Sequence, residues 1–166
     1  MAPFIEEAIA RVLAQDYPKI DYIVLDGGST DGTLEILRKY EGRLRYESRP
    51  DKGQVDAINR GFLLSHGPIV AFLNADDSYL PQAVGNAVGH LLANPSFAVV
   101  YGEAYLVAED GTCLGLYPTK DFDAQLLQYE CFICQPTTFL WSSIFAESGL
   151  FRVVSIHAPR GGRDDA

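Results

Sequence analysis

The strongest constraint on the fold is an alternation along the chain. Short apolar runs that end in turn residues take turns with longer segments whose apolar residues recur at i, i+3, i+4. The runs are 22–26 (YIVLD), 44–48 (LRYES), 69–73 (IVAFL) and 97–101 (FAVVY). They are too short for helices and are rich in β-branched and aromatic residues, so they are expected to be strands. Helical patterns occupy 4–15, about 32–40, 55–65 and 81–93, the first with a stripe at Ile5, Ala8, Ile9, Val12 and Leu13. Pro81 suits the start of the fourth, where its missing N–H costs nothing. A strand followed by a helix and another strand needs a crossover, which brings the strands together in parallel. The expected class is therefore α/β, a mostly parallel sheet flanked by helices.

Beyond Tyr101 the pattern changes. Runs 104–108 and 113–117 flank Glu109-Asp110-Gly111-Thr112, and an Asp-Gly between two apolar runs signals an antiparallel hairpin. A short helix near 122–129, an extended segment at 135–140 and a last helix near 142–148 complete one domain over 1–151. Residues 152–166 (RVVSIHAPRGGRDDA) carry a Pro and a Gly-Gly pair without apolar periodicity and read as an irregular tail. The chain opens on a helix where an α/β sheet ordinarily opens on a strand, so the first strand is expected to be missing. Its absence would leave the 22–26 strand with an unpaired edge and an open core, a liability for aggregation.

Composition narrows the partners. Thirteen Lys and Arg against twenty-two Asp and Glu give a formal charge of -9, which repels a phosphate backbone and excludes nucleic acid as an expected partner. Cys113, Cys131 and Cys134 are too few and odd in number for a disulfide framework, which fits a reducing compartment. The N-terminus carries Glu6 and Glu7 where a signal peptide needs bases, and no apolar run approaches the roughly 18 residues of a membrane span. A soluble, cytoplasmic chain is expected. The Cys-x-x-Cys of Cys131 and Cys134 lacks the second pair a zinc site needs. His66, His90 and His157 are scattered, and no Gly-x-Ser-x-Gly elbow supports a serine hydrolase.

Three segments can carry chemistry. Asp26-Gly27-Gly28-Ser29-Thr30-Asp31-Gly32-Thr33 sits at the carboxyl end of an apolar strand and leads into a helix, where open α/β sheets bind ligands. Its glycines permit close approach of a ligand, Thr30 or Asp31 can cap the helix, and Asp26 can accept from an N–H of a base. The same residues also suit a plain strand-to-helix turn. A calcium loop is excluded, because the twelfth position from Asp26 is Leu37 instead of Glu. The second segment, Asn74-Ala75-Asp76-Asp77, follows the 69–73 strand. Adjacent carboxylates repel, and a divalent cation shared with an anionic ligand such as a diphosphate makes the pairing favourable; helix capping toward solvent is the plainer alternative. The third, Asp51 to Gly61 (DKGQVDAINRG), could bring Lys52 or a helix N-terminus to a phosphate, or could be a solvated helix face.

Taken in order, these three segments and Gln135-Pro136-Thr137-Thr138-Phe139 resemble the family 2 nucleotide-diphospho-sugar glycosyltransferases with the GT-A fold, from about Pro3 to Phe151. The resemblance implies a Rossmann-like sheet. It implies that Asp26 reads the nucleotide base, and that Asp76 and Asp77 form the D-x-D-like element holding ribose and a cation, Mg or Mn, with Asp77 the metal ligand. Lys52 and Gly53 would approach the nucleotide-sugar, and Gln135, Pro136, Thr137 and Thr138 would lie on the sugar or acceptor side.

The implied activity is inverting transfer of a sugar from a nucleotide-diphosphate donor to a hydroxyl of a saccharide or lipid-linked acceptor, in bacterial surface polysaccharide assembly. Peripheral membrane contact is compatible with it. The sequence departs from the family at both ends. The Pro-(Ser/Thr)-(Tyr/Phe)-Asn type segment that relatives carry at the end of their first strand is not found. Past Gly149-Leu150-Phe151, the acidic motif that supplies the general base is also missing; Asp164 and Asp165 are poor substitutes, so no catalytic residue is assigned. A non-catalytic remnant or nucleotide-sugar binding module is the rival expectation. A receiver-like signalling domain is a weaker one, because the Lys and Thr/Ser it needs at later strand ends cannot be placed.

Overall fold

The computed structural model describes residues 2–152. Expectations that fall on 153–166, including His157, Asp164, Asp165 and nearly all of the tail, lie outside the described residues. The chain opens with α1 (Ala2–Leu13), which buries Ile5, Ala8, Ile9 and Val12, the face its sequence stripe prescribes. Then come β1 (Ile23–Asp26), α2 (Thr33–Lys39), β2 (Arg45–Ser48), α3 (Gln54–Leu64), β3 (Ile69–Val70), α4 (Ala83–Ala93) and β4 (Val99–Val100). The second half holds β5 (Tyr105–Val107), β6 (Cys113–Leu116), β7 (Phe139–Trp141) and α5 (Ile144–Ser148), with 3-10 turns at Leu126–Gln128 and Gln135–Thr137.

The strands form three ladders. β1 and β2 pair in parallel from Ile23 opposite Arg45 to Asp26 opposite Ser48. β7 lies between β3 and β4 and is antiparallel to both, with Ile69 opposite Trp141 and Val99 opposite Leu140. β5 and β6 form the expected hairpin, its register shifting after Leu106. The α/β class holds. The extended 135–140 segment proves to be a turn followed by the strand at the centre of its ladder, a placement local pattern could not reveal. The 69–73 run pairs through Ile69 and Val70 alone, and among the described residues no strand pairs with its other edge.

Packing follows the same division. Ile5, Ile9, Leu37 and Leu44 form one buried cluster, joined by Tyr22, Val24 and Tyr46. Val84, Val88, Leu91 and Phe139 form a second, joined by Ile69, Tyr79 and Trp141. α1 and α4 are tied together by Gln15. Its side-chain amide donates to the Leu80 carbonyl at 2.9 Å, and its side-chain oxygen accepts the Val84 N–H at 3.1 Å. That acceptor supplies the cap that Gln82, in the left-handed region at φ 67°, does not. The helix therefore starts two residues after Pro81.

Between the two clusters runs a cavity of about 710 Å³, lined by Leu25 of β1, by 69–73 and by Ile58 and Phe62 of α3. None of the residues of α3 is buried, although Ala57, Ile58, Gly61 and Phe62 make one apolar face. Native interiors are packed like organic crystals, so this space is a distinct feature of the fold.

Candidate nucleotide-diphosphate site

The loops that leave β1, β2 and the 69–73 run gather at one end of the cavity. Asp26 closes β1 and is buried. One of its oxygens accepts from the Gly28 N–H at 3.2 Å, the Ser29 N–H at 3.0 Å and the Ser48 hydroxyl at 2.6 Å. Burial pushes its pKa up, but these donors together outweigh burial and hold it below the ordinary carboxylate range. The carboxylate thus shapes the loop, and its second oxygen, with one long bond of 3.3 Å to Ser29, retains acceptor capacity. Gly28 has φ 89°, and a Cβ there would stand 3.3 Å from the Pro50 nitrogen, so a glycine is required on two counts. The N-cap of α2 is Gly32, neither Thr30 nor Asp31; Asp31, one residue before it, accepts the Thr33 N–H at 3.2 Å and the Thr33 hydroxyl at 2.6 Å.

The loop after β2 packs against this turn. Asp51 lies so near that a Cβ on Gly27 would be 3.2 Å from its carboxylate. Asp51 also accepts the Gly53 N–H at 2.8 Å, and Gly53, at φ 102°, opens α3. The Lys52 side chain is exposed and has no hydrogen-bond or ion-pair partner among the described residues.

Asn74 is the hub of the other half, a role the sequence did not disclose. Its side-chain oxygen accepts from Gln54 at 2.7 Å, and its amide donates to Asp77 at 3.0 Å and to Gln135 at 3.2 Å. Gln135 in turn donates to the Phe72 carbonyl at 2.7 Å. Segments 20 and 61 residues away in sequence are thereby fastened to the strand end. Asp77 is half-buried. Burial, reinforced by the charge of the exposed Asp76, raises its pKa against the opposing bond from Asn74. No lysine or arginine is paired with either carboxylate among the described residues.

Of the 135–138 segment, only Gln135 reaches this hub. The Thr137 hydroxyl exchanges hydrogen bonds with the Gly102 N–H and carbonyl at 3.1 and 2.9 Å, and Thr138 donates to the Cys134 carbonyl at 3.1 Å. Pro136 lies within the turn. These three shape the backbone around Gln135. Cys134 is buried, which raises its thiol pKa, with Asp77 contributing.

The donor set suits a hard divalent cation. Two adjacent carboxylates, one half-buried with its charge uncompensated, offer oxygen ligands, and no cluster of three or more acidic, His or Cys ligands exists among the described residues. A Mg-type ion commonly takes one or two protein carboxylates and completes its shell with phosphate oxygens and water.

The profile of glycosyl transferase family 2 matches residues 2–143. The chain belongs to this family. An uncharacterized glycosyltransferase of Nostoc sp. is 33% identical over 91 residues, covering 52% of this chain and 28% of that protein. A PGL/p-HBAD biosynthesis glycosyltransferase of Mycobacterium bovis is 28% identical over 152 residues, covering 89% and 56%. Among solved structures, the mannosyltransferase PcManGT of Pyrobaculum calidifontis, in complex with GDP-Man and Mn2+, aligns with a TM-score of 0.69 at 23% identity, over 92% of this chain and 44% of that one. S. aureus TarS with UDP-GlcNAc aligns at 0.66 and 18% identity, over 87% and 43%. The fold of this family 2 chain is GT-A, and the chain spans about half or less of each of these proteins. No helix among the described residues is long and apolar enough to cross a membrane.

Proposed function

We propose that this family 2 domain binds a nucleotide-diphosphate sugar and transfers the sugar, with inversion, to a hydroxyl of a saccharide or lipid-linked acceptor in the cytoplasm, serving bacterial surface polysaccharide assembly. The observation that carries the reading is that the loop with Lys52 and Gly53 links the turn after Asp26, through Asp51 against Gly27, to the end of the 69–73 run, through Gln54 on Asn74, where Asn74 holds Asp77 beside Asp76. The complexes of PcManGT with GDP-Man and Mn2+ and of TarS with UDP-GlcNAc support the ligand class.

In this reading the second oxygen of Asp26 accepts an N–H of the base. Lys52 meets the phosphates as a point charge, and the positive φ of Gly53 lets the backbone come close to the donor. Asp77, with Asp76 beside it, would hold a divalent cation, Mg or Mn, whose charge stabilises the diphosphate leaving group. Gln135 orients the sugar side through Asn74. No general base is assigned among the described residues. The domain is the unit 1–151, with 152–166 a non-family tail.

Calorimetric titration with UDP, GDP and dTDP, each with and without manganese, tests the reading. Manganese-dependent binding, weakened at least tenfold in Asp77→Ala, is the expected result. Equal binding by Asp77→Ala, or none by the folded chain, refutes it. Binding without hydrolysis or transfer of the matching nucleotide-sugar would identify a binding module instead of a transferase.

A further inference from the structure

Three donors converge on one oxygen of Asp26. Its Oδ2 accepts the Gly28 N–H at 3.2 Å, the Ser29 N–H at 3.0 Å and the Ser48 hydroxyl at 2.6 Å, whereas Oδ1 shares only the Ser29 N–H, at 3.3 Å. A carboxylate oxygen offers about two lone-pair sites, so Oδ2 is fully used and Oδ1 has room for one more donor. The shortest of these bonds comes from outside the turn. Ser48 ends β2 directly opposite Asp26 in the parallel ladder, and the Arg49 N–H continues that ladder onto the Asp26 carbonyl at 3.0 Å. Strand pairing therefore holds the hydroxyl in place. The turn donors are held separately, by the positive φ of Gly28 and its close approach to Pro50. Gripped from two independent elements, the carboxylate is kept from turning both oxygens outward.

The bases differ in the donors on their pairing edges. Guanine presents two side by side, N1–H and the N2 amino group, and a carboxylate meets such a pair through both of its oxygens. Uracil and thymine present one, N3–H, between two carbonyls. Adenine and cytosine set a ring-nitrogen lone pair beside the amino group, which would face the carboxylate charge. One free oxygen fits the single imide donor. The Ser29 hydroxyl, close enough to Asp26 to stabilise its charge, is a rotor that can turn to a neighbouring carbonyl of the base. Resting on the donor-site reading above, we propose that Ser48 is a positioning residue that makes Asp26 a single-oxygen acceptor, so that the site takes a uridine or thymidine diphosphate sugar in preference to a guanosine one. A guanine there would leave one of its two donors unmet, and sites discriminate strongly through polar groups left unpaired. Neither solved relative bears on the base, since at 23% and 18% identity the likeness is one of fold.

The test titrates the whole 166-residue chain, and its Ser48→Ala and Ser48→Thr variants, with UDP, dTDP and GDP in the presence of manganese. UDP and dTDP are expected to bind the parent at least tenfold more tightly than GDP. Ser48→Ala should shrink that ratio at least threefold, because the released carboxylate can turn both oxygens to guanine, and Ser48→Thr, which keeps the hydroxyl, should restore it. A hydroxyl that serves stability alone would weaken all three ligands equally; an unchanged ratio in Ser48→Ala would therefore overturn the positioning role. GDP bound by the parent as tightly as UDP would overturn the proposal and leave the donor-site reading standing, whereas no binding of any of the three by a folded chain would refute both. If Ser48→Ala does not fold, Ser48→Cys, a weak donor of nearly the same shape, takes its place, and the order of affinities on the parent needs no variant at all.

Discussion

Replacing Asn74 with alanine tests whether the candidate site is held together by one amide. The side chain makes three hydrogen bonds, to Gln54, Asp77 and Gln135. The two neutral bonds contribute about 0.5–1.5 kcal/mol each, and the one to the carboxylate about 1.5–3. The simple sum overstates the loss, because Gln54 is exposed and Asp77 only half-buried, so both can turn to water. A loss of about 2–3 kcal/mol is expected, which for a domain of this size lowers the midpoint of thermal unfolding by roughly 5–10 °C. Urea unfolding followed through Trp141, the only tryptophan, measures it, and an unchanged slope against denaturant would show that the change lies in stability. Losing the Asn74 donor also removes a bond that lowers the Asp77 pKa, so that carboxyl should titrate still higher in the variant. A loss below about 0.5 kcal/mol, within the range of ordinary surface substitutions, would refute the idea that Asn74 fastens the 54 and 135 segments to the strand end.

Two other substitutions probe the Asp26 turn. The Asp26 pKa is depressed in the folded chain, so its contribution is present above the ordinary carboxylate value of 3.8 and is lost as pH falls through the folded value below it. Asp26→Asn should therefore cost about 1–3 kcal/mol at pH 7, with the gap to the parent closing toward pH 3 in urea unfolding; a gap independent of pH would contradict this. Gly28→Ala should cost more than Gly42→Ala in the same assay. Both sites have positive φ, at 89° and 83°, but only Gly28 has a neighbour, Pro50, where the new Cβ would go. An excess of about 1 kcal/mol is expected from that overpacking, and equal costs would mean the loop yields freely.

The sequence disclosed what local pattern controls. The α1 stripe, the turn after Tyr22 to Asp26, the Asp110-Gly111 hairpin and the adjacent Asp76 and Asp77 are all written in neighbouring residues, and the structure shows each of these elements. It did not disclose the hub role of Asn74 or the place of Ser48, since Gln54, Gln135 and Asp26 reach them from distant segments and an Asn or Ser at a strand end looks the same with or without them. Nor did it place β7. The three residues Phe139, Leu140 and Trp141 read as extended anywhere, and only the ladders to Ile69 and Val99 put them at the centre. Thr137 and Thr138 were expected on the sugar or acceptor side through the resemblance alone, and in the structure their hydroxyl bonds go to backbone.

The central position of β7 also sets a timetable for synthesis. β3 and β4 do not pair with each other and are joined through a strand that emerges about 40 residues after Val100. At ribosomal speeds of about 5–20 residues per second, the two wait roughly 2–8 seconds with open edges before β7 is made. Through that interval the nascent chain holds the completed β1–β2 unit with α1 and α2 beside two unzipped strands, and the second ladder closes in one late step when Phe139 to Trp141 arrive.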